Sequence, residues 1–247
     1  MSATEYAKLL TSYIPGKIYG LRAVVTIPSK TWIAYLVKNR GNGFLDAYLS
    51  LDRNKNGNVF HYECGLSQLV GYADLWGELS KKGDGLWHWM YAAPNGQSDT
   101  KQPFDMKPGS DVPIELSINA NGGLDFIVNY SVKKTFNEGS FNTSDGITNA
   151  RIVIGACDQN FDSTSNIPKK PGNLLTEWGT FTNHIVMKNI AYQTTRGGAW
   201  KLFDPTGKVN EVFWPTGYTH QTTPQRFTYA TSNGKLIASL KKAGINA

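Results

Sequence analysis

The sequence predicts an all-β protein, a β-sandwich of the jelly-roll type with a short N-terminal helix. From residue 16 onward, apolar and polar residues alternate with period two, which is typical of half-buried strands. Five Asn-Gly and two Asp-Gly pairs, which favour hairpin turns, punctuate these segments. Neither alternating strand and helix signals nor an internal repeat is found. Ten or so short strands with turn signals about every ten residues favour a sandwich.

The predicted strands are rich in Ile, Val and aromatic residues. Two pairs of segments flank Asn-Gly turns and are predicted as hairpins, and two further segments are predicted as single strands. The hairpins comprise residues 45–50 with 59–66 and residues 113–118 with 124–130, and the single strands comprise residues 151–157 and 184–192.

The two ends of the chain carry different signals. Ser2 and Glu5 have the spacing of a capping box, and Pro15 ends the segment. The apolar residues between them have helical spacing: Tyr6, Leu9, Leu10 and Tyr13. We therefore expect a helix in residues 1–15, a β-sandwich in residues 16–195, and a C-terminal extension in residues 196–247 that packs on the same domain. Within the extension, residues 236–243 are predicted as a short helix.

Composition limits the functional classes. The chain has 247 residues, of which 40% are hydrophobic and 18% charged, so it can bury a core. No apolar run is long enough to span a membrane. The net charge is +6, but the lysines occur singly or in pairs, which argues against a nucleic-acid partner. We expect a secreted or cell-surface monomer, although no signal peptide is visible.

The only two cysteines are Cys64 and Cys157. One disulfide and two buried thiols are both compatible with this number, and two cysteines alone do not form a metal site. Both residues fall on predicted strands, and we expect them to lie close together. No cofactor motif is present, and we expect neither a metal ion nor a cofactor.

Aromatic residues are concentrated in residues 86–91. Trp87, Trp89 and Tyr91 share one face of the predicted strand, and His88 lies on the other. Flat aromatic rings stack well on sugar rings, so these three residues are candidate ligand-binding residues. The alternative is that the same face forms the sandwich core.

The neighbouring strand offers a second set of candidates. His61 and Glu63 face away from the apolar residues of segment 59–66, and they form a candidate ligand-binding surface together with His88. The alternative is a solvated face with an ordinary ion pair. Asp52 to Glu63 also matches the spacing of a calcium-binding loop, but that loop needs helices on both sides, whereas strands are predicted here.

With the strands laid out, the order of motifs resembles the glutamic peptidase (eqolisin) family, within the concanavalin A-like jelly rolls. Segment 60–66 is similar to the family's strand carrying the catalytic Gln, and segment 86–89 is similar to its Trp-rich strand. The resemblance runs from about residue 16 to residue 192. It places Glu63 at the position of the catalytic Gln and Gly155 at that of the catalytic Glu. The resemblance therefore implies a shared scaffold without the peptidase reaction.

Two functions from different classes follow. The first is binding of a polysaccharide or another extended ligand on a concave sheet, through Trp87, Trp89 and Tyr91 or through His61, Glu63 and His88. The second is a hydrolase or polysaccharide lyase that uses Glu63 as acid or base, with Glu177 or Asp158 as a partner. A structural surface protein without a small ligand is a third possibility.

Overall fold

A computed structural model describes residues 2–28, 43–55, 58–70, 87–94, 96–97, 107, 109–137, 147–162, 185–214 and 227–240. In this part of the chain all regular elements are strands, and no helix that could cross a membrane is found there. The strands are β1 (Ser2–Thr11), β2 (Gly20–Thr26), β3 (Gly43–Lys55), β4 (Asn58–Val70), β5 (Trp87–Ala93), β6 (Gly96–Gln97), β7 (Asp111–Ile118), β8 (Leu124–Val128), β9 (Ser131–Phe136), β10 (Thr148–Asp162), β11 (Ile185–Gln193), β12 (Lys201–Leu202), β13 (Val209–Trp214), β14 (Phe227–Ser232) and β15 (Lys235–Leu240).

The strands form two antiparallel sheets, so the predicted all-β sandwich is confirmed. The seven-stranded sheet has the order β13-β1-β10-β3-β4-β5-β6, and the eight-stranded sheet has the order β14-β15-β11-β2-β7-β8-β9, with β12 paired to β11. Alternate residues of both sheets meet in one apolar core. We call the faces that meet there the inner faces and the opposite faces the outer faces.

The predicted N-terminal helix is wrong. Residues 2–11 form β1, which pairs with β10 on one side and with β13 on the other. The helical spacing of Leu9 and Leu10 is also compatible with a strand, since Leu9 is buried in the core and Leu10 packs on the outer face. Hydrogen bonding to two neighbouring strands outweighs a weak local helix preference. The helix predicted from residue 236 is wrong too, because residues 236–240 belong to β15.

The expected proximity of the two cysteines is also wrong. Cys157 pairs with Phe44 of β3, whereas Cys64 pairs with Leu49 of the same strand. The two cysteines thus lie two strands apart, about 10 Å, and five residues apart along the strand direction, about 16 Å. A disulfide needs Cα atoms less than about 7 Å apart. Cys64 is a buried free thiol, and burial raises its pKa.

Register places four rows of side chains across the outer face of the seven-stranded sheet. Each row contains one residue from each strand that it crosses. The first row is Lys8–Gly155–Asp46–Ser67–His88, the second is Leu10–Val153–Tyr48–Gly65–Met90, and the third is Arg151–Ser50–Glu63–Ala92. Asp52 and His61 form the fourth row. The second row is apolar and buried at Tyr48, Met90 and Val153. It lies between a charged first row and a charged third row.

Gly65 and Gly155 occupy this face with different tolerance for a side chain, which gives a matched test of the packing. A Cβ at Gly65 would overlap the Ala47 carbonyl oxygen and Tyr48 Cα, whereas one at Gly155 would meet Asp46 and Lys8 at 3.7 Å, an ordinary contact. We expect Gly65→Ala to lower the free energy of unfolding by about 2–3 kcal/mol, and Gly155→Ala to change it by less than about 1 kcal/mol. Chemical denaturation of both variants checks this, and equal losses would contradict the packing described.

Candidate functional site

The aromatic ladder of β5 belongs to the core. Trp87 is buried in the main apolar cluster, and Trp89 and Tyr91 pack against it. Trp89 meets Phe126 of the other sheet edge-on, with ring centroids 6.5 Å apart, and Tyr91 meets Phe136 at 5.2 Å. These rings pack between the sheets, which favours the alternative that this face of β5 forms the sandwich core.

The other predicted set lies on the outer face of the seven-stranded sheet. His61 and Glu63 project there from β4, and His88, which is buried, projects from β5. They are joined by residues that sequence reasoning did not assign to the site. We call the following set the ionisable cluster: Lys8, Asp46, Tyr48, Asp52, His61 and Glu63.

Glu63 is the centre of the ionisable cluster. Its Oε1 accepts a hydrogen bond from the Tyr48 hydroxyl at 3.0 Å and lies 3.7 Å from Lys8 Nζ. Lys8 Nζ in turn donates to the Tyr48 hydroxyl at 2.9 Å. Burial alone would raise the pKa of Glu63, but His61, Lys8 and Tyr48 together lower it to about 2. Glu63 is therefore ionised throughout the physiological range.

His61 connects two carboxylates. Its Nε2 lies 3.3 Å from Glu63 Oε1, and its Nδ1 lies 2.5 Å from Asp52 Oδ1. Asp52 is fixed in turn by Asn149, whose amide donates to its Oδ2 at 3.1 Å. The pKa of His61 is raised, chiefly by the hydrogen bond to Glu63 and against the effect of burial. The side chain is 45% exposed, so the imidazole is accessible from solvent.

The calcium-loop spacing also finds its explanation here. Asp52 and Glu63 are indeed brought together, but by strand pairing in the β3–β4 hairpin, and both contact the His61 imidazole. Among the described residues, no group of three or more His, Cys, Asp or Glu side chains is arranged to hold a metal ion.

Asp46 is a second carboxyl of the ionisable cluster, and its pKa is shifted in the opposite direction to that of Glu63. It is 4% exposed, and its Oδ1 has no hydrogen-bond partner within the described part of the chain. Burial raises its pKa to about 7, although the Ser67 hydroxyl and Lys8 partly oppose this effect. The charge of Glu63 also acts to raise it.

Asp46 lies beside the position at which the sequence offers a glycine. Gly155 of β10 pairs directly with Asp46 of β3, and a Cβ at Gly155 would lie 3.7 Å from Asp46 Oδ2. A carboxyl therefore stands one strand away from the position that the resemblance gives to the catalytic Glu. Of the other suggested partners of Glu63, Glu177 lies outside the described residues, and only the backbone of Asp158 is described.

Sequence reasoning missed Lys8, Asp46 and Tyr48 for separate reasons. Lys8 lay in the segment predicted as a helix. Asp46 and Tyr48 alternate with Leu45, Ala47 and Leu49 along a predicted strand, so period two already placed them on the face opposite the core. An acidic residue at the centre of an apolar strand was the signal that could have found Asp46.

The comparisons with known proteins bear on the fold. No protein-family model and no curated protein matches the sequence. Scytalido-glutamic peptidase with a transition state analog inhibitor matches 97% of this chain and 100% of its own with 9% identity and a TM-score of 0.51. Two further structures also match 97% of this chain and 100% of their own. One is the same peptidase with a peptide-based transition state analog, at 10% identity and a TM-score of 0.49. The other is SCP-B of the eqolisin family with the tripeptide Ala-Ile-His, at 10% identity and a TM-score of 0.45.

The fold is similar to that of the eqolisins. The resemblance predicted from the order of motifs is thus confirmed as a distant one. At 9% identity the likeness concerns the scaffold, and the chemistry has to be argued from the side chains of this chain.

The two carboxyls predict opposite effects on stability. Asp46 has a raised pKa, so its contribution is most favourable below about pH 4 and is lost as the pH rises through 7. Glu63 has a lowered pKa, so it stabilises above about pH 4.5 and loses this effect as the pH falls towards 2. We expect Asp46→Asn to gain stability over the wild type by roughly 2–3 kcal/mol more at pH 8 than at pH 5.

Glu63→Gln is the matched control for this prediction. It should lower the free energy of unfolding by about 1–3 kcal/mol at pH 7, since Lys8 and His61 lose their anionic partner, and the loss should shrink below pH 4. Urea denaturation between pH 3 and pH 8 measures both variants. A destabilised Asp46→Asn at pH 8 would show that Asp46 is paired and ionised.

Proposed function

We propose that the outer face of the seven-stranded sheet binds a polysaccharide and hydrolyses it, with Glu63 and His61 as the acid–base pair. The observation that carries this proposal is the imidazole of His61 between two carboxylates, on an accessible part of the face. The same arrangement favours an enzyme over a purely aromatic binding platform, because the aromatic ladder of β5 is in the core.

Each group has a distinct task in this proposal. Asp52 accepts the Nδ1 proton and fixes the imidazole plane, so that Nε2 faces Glu63. The proton between Nε2 and Glu63 Oε1 is delivered to the oxygen of the leaving sugar as the glycosidic bond breaks. Water then adds to the anomeric carbon, and its proton returns to the same pair, which restores the starting state.

The remaining members of the ionisable cluster set the electrostatics. Lys8 and Tyr48 hold the Glu63 carboxylate from the side of the first row, which leaves His61 as its neighbour on the exposed side. A permanently ionised Glu63 also stabilises the positive charge that develops on the sugar ring in the transition state. Asp46 is buried, so we assign it no contact with the substrate. It acts through Lys8 and Glu63, with which it interacts electrostatically.

The choice of an extended ligand rests on the length of the strands that form the face. Long strands β3, β4 and β10 offer an extended surface, and no nucleotide or cofactor motif occurs in the sequence. A secreted or cell-surface location and a monomeric state belong to the same proposal.

The activity prediction concerns Glu63 and Asp52. Glu63→Gln should reduce kcat on a cleaved polysaccharide by about 100-fold or more. Turnover should decline as the pH rises through the raised pKa of His61, because the transferable proton is lost. Asp52→Asn should move this alkaline limb to lower pH, since Asp52 contributes to the raised pKa. The measurement is reducing-sugar release from a panel of neutral and acidic polysaccharides between pH 4 and pH 10.

Asp111→Asn is a suitable control, because Asp111 forms an ion pair with Lys188 at 2.6 Å on the other sheet. Its pH profile should match that of the wild type. Retention of a polysaccharide on affinity gels without any cleavage would indicate a binding protein and contradict the proposed hydrolysis. Cleavage of peptides alone would contradict the proposed substrate. Unsaturated sugar ends would indicate a lyase instead.

A further inference from the structure

We propose a second ligand site, for a neutral sugar unit, on the outer face of the eight-stranded sheet. A cavity of about 350 Å³ opens there between β2, β7 and the turn that follows β8. This volume lies in the range of small-molecule sites. The ionisable cluster lies on the outer face of the other sheet, so the two sites are on opposite sides of the sandwich.

The lining of the cavity combines apolar side chains with two opposite charges. The apolar side chains are those of Val24, Pro113 and Ile127, and Arg22 and Glu115 lie directly opposite each other on neighbouring strands. Despite this register, the Glu115 carboxylate has no hydrogen-bond or ion-pair partner within the described part of the chain. A guanidinium donor and a carboxylate acceptor therefore both remain available to a ligand.

Arg22 stacks on Trp200 and does not pair with Glu115. Its guanidinium carbon lies 4.2 Å from the ring centroid of Trp200, a favourable cation–π distance. Gly20 makes room for that ring, because a Cβ at Gly20 would lie 2.9 Å from Trp200 Cη2. The sequence thus stacks the arginine on Trp200 in place of a pair with the adjacent carboxylate.

Two residues that line the cavity, Tyr130 and Asn189, have a positive φ. Tyr130 has φ +61° in the two-residue turn between β8 and β9, where the hairpin geometry favours glycine, and its side chain is 87% exposed. Asn189 has φ +53° at an irregularity of β11, where the register against β2 shifts. Such irregularities turn a side chain away from its regular direction.

The turn that holds Tyr130 is anchored to β7, a strand that lines the cavity. The backbone N–H of Asn129 donates to the Pro113 carbonyl at 2.8 Å, which fixes the turn against β7. An exposed, strained tyrosine contributes little to the core, and residues in such conformations concentrate at ligand sites. The conformation is explained if Tyr130 serves as an aromatic wall for a ligand.

The chemistry of these groups fits a neutral sugar. A sugar ring has an apolar C–H face, which suits the Tyr130 ring, and a rim of hydroxyl groups, which donate to Glu115 and accept from Arg22 and the Asn189 amide. The two charges cancel, so an acidic sugar gains at Arg22 but is repelled by Glu115. The choice of a sugar rests partly on the proposed function, whereas the cavity and its walls do not.

Isothermal titration of the full chain with neutral tetrasaccharides of glucose, xylose and mannose tests the proposal, with trigalacturonic acid as the acidic comparison. At least one neutral probe should bind more tightly than the acidic one. Glu115→Gln should weaken its binding about tenfold, since a charge-assisted hydrogen bond is lost. Failure of every neutral probe to bind would overturn the proposal.

Tyr130→Gly separates a ligand-binding role from a structural one. It relieves the strained backbone, so the midpoint of thermal unfolding should rise, while binding of the neutral probe weakens about tenfold. Tyr229→Ala is the control, because Tyr229 is an exposed tyrosine of β14 in the same sheet, and it should leave binding unchanged. Unchanged binding in Tyr130→Gly would contradict the site.

The acid–base variant keeps the two proposals distinguishable. Glu63→Gln should reduce polysaccharide cleavage by about 100-fold or more but leave the affinity of the cavity for the neutral probe unchanged. Binding that persists in Glu115→Gln and Tyr130→Gly but disappears in Glu63→Gln would place the sugar on the outer face of the seven-stranded sheet and overturn the second site.

Discussion

The register of the β3–β4 hairpin is the constraint on which the rest of this structure depends. It pairs Ser50 with Glu63 and Asp52 with His61, so the contact of the imidazole with Asp52 follows from it. A slip of one residue would turn Glu63 into the core and expose Tyr62 and Cys64. The apolar residues of both strands oppose such a slip, and the packing of the core thereby fixes the geometry of the site.

Much of this arrangement was predictable from period two alone. Alternation along residues 45–51 and 59–66 already separates Leu45, Ala47 and Leu49 from Asp46 and Tyr48, and Tyr62 from His61 and Glu63. The pattern does not decide whether the aromatic face of β5 is buried or exposed, because the residues that cover it, Phe126 and Phe136, belong to the second sheet. The position of Lys8 on the outer face was not predictable, because residues 2–11 form a strand only by pairing with β10 and β13. The distance between the cysteines was not predictable either, because it depends on the register across three strands.

The two carboxyls of the outer face show how one surface can hold opposite protonation states. Glu63 receives a hydroxyl, an ammonium and an imidazole and stays ionised, whereas Asp46 is buried with an unpaired oxygen and is protonated up to about pH 7. Their separation in pKa is typical of acid–base sites. The buried carboxyl of Asp46 on one outer face and the positive φ of Tyr130 on the other each cost stability, which is common at functional sites.

An NMR pH titration of the His61 ring tests whether it is an imidazolium held between two carboxylates. The chain has three other histidines, His88, His184 and His220, so a His61→Gln spectrum assigns the signal. We expect His61 to titrate above the ordinary value of 6.5, and we expect its midpoint to fall in both Asp52→Asn and Glu63→Gln. A midpoint at or below 6.5 that neither variant moves would contradict it.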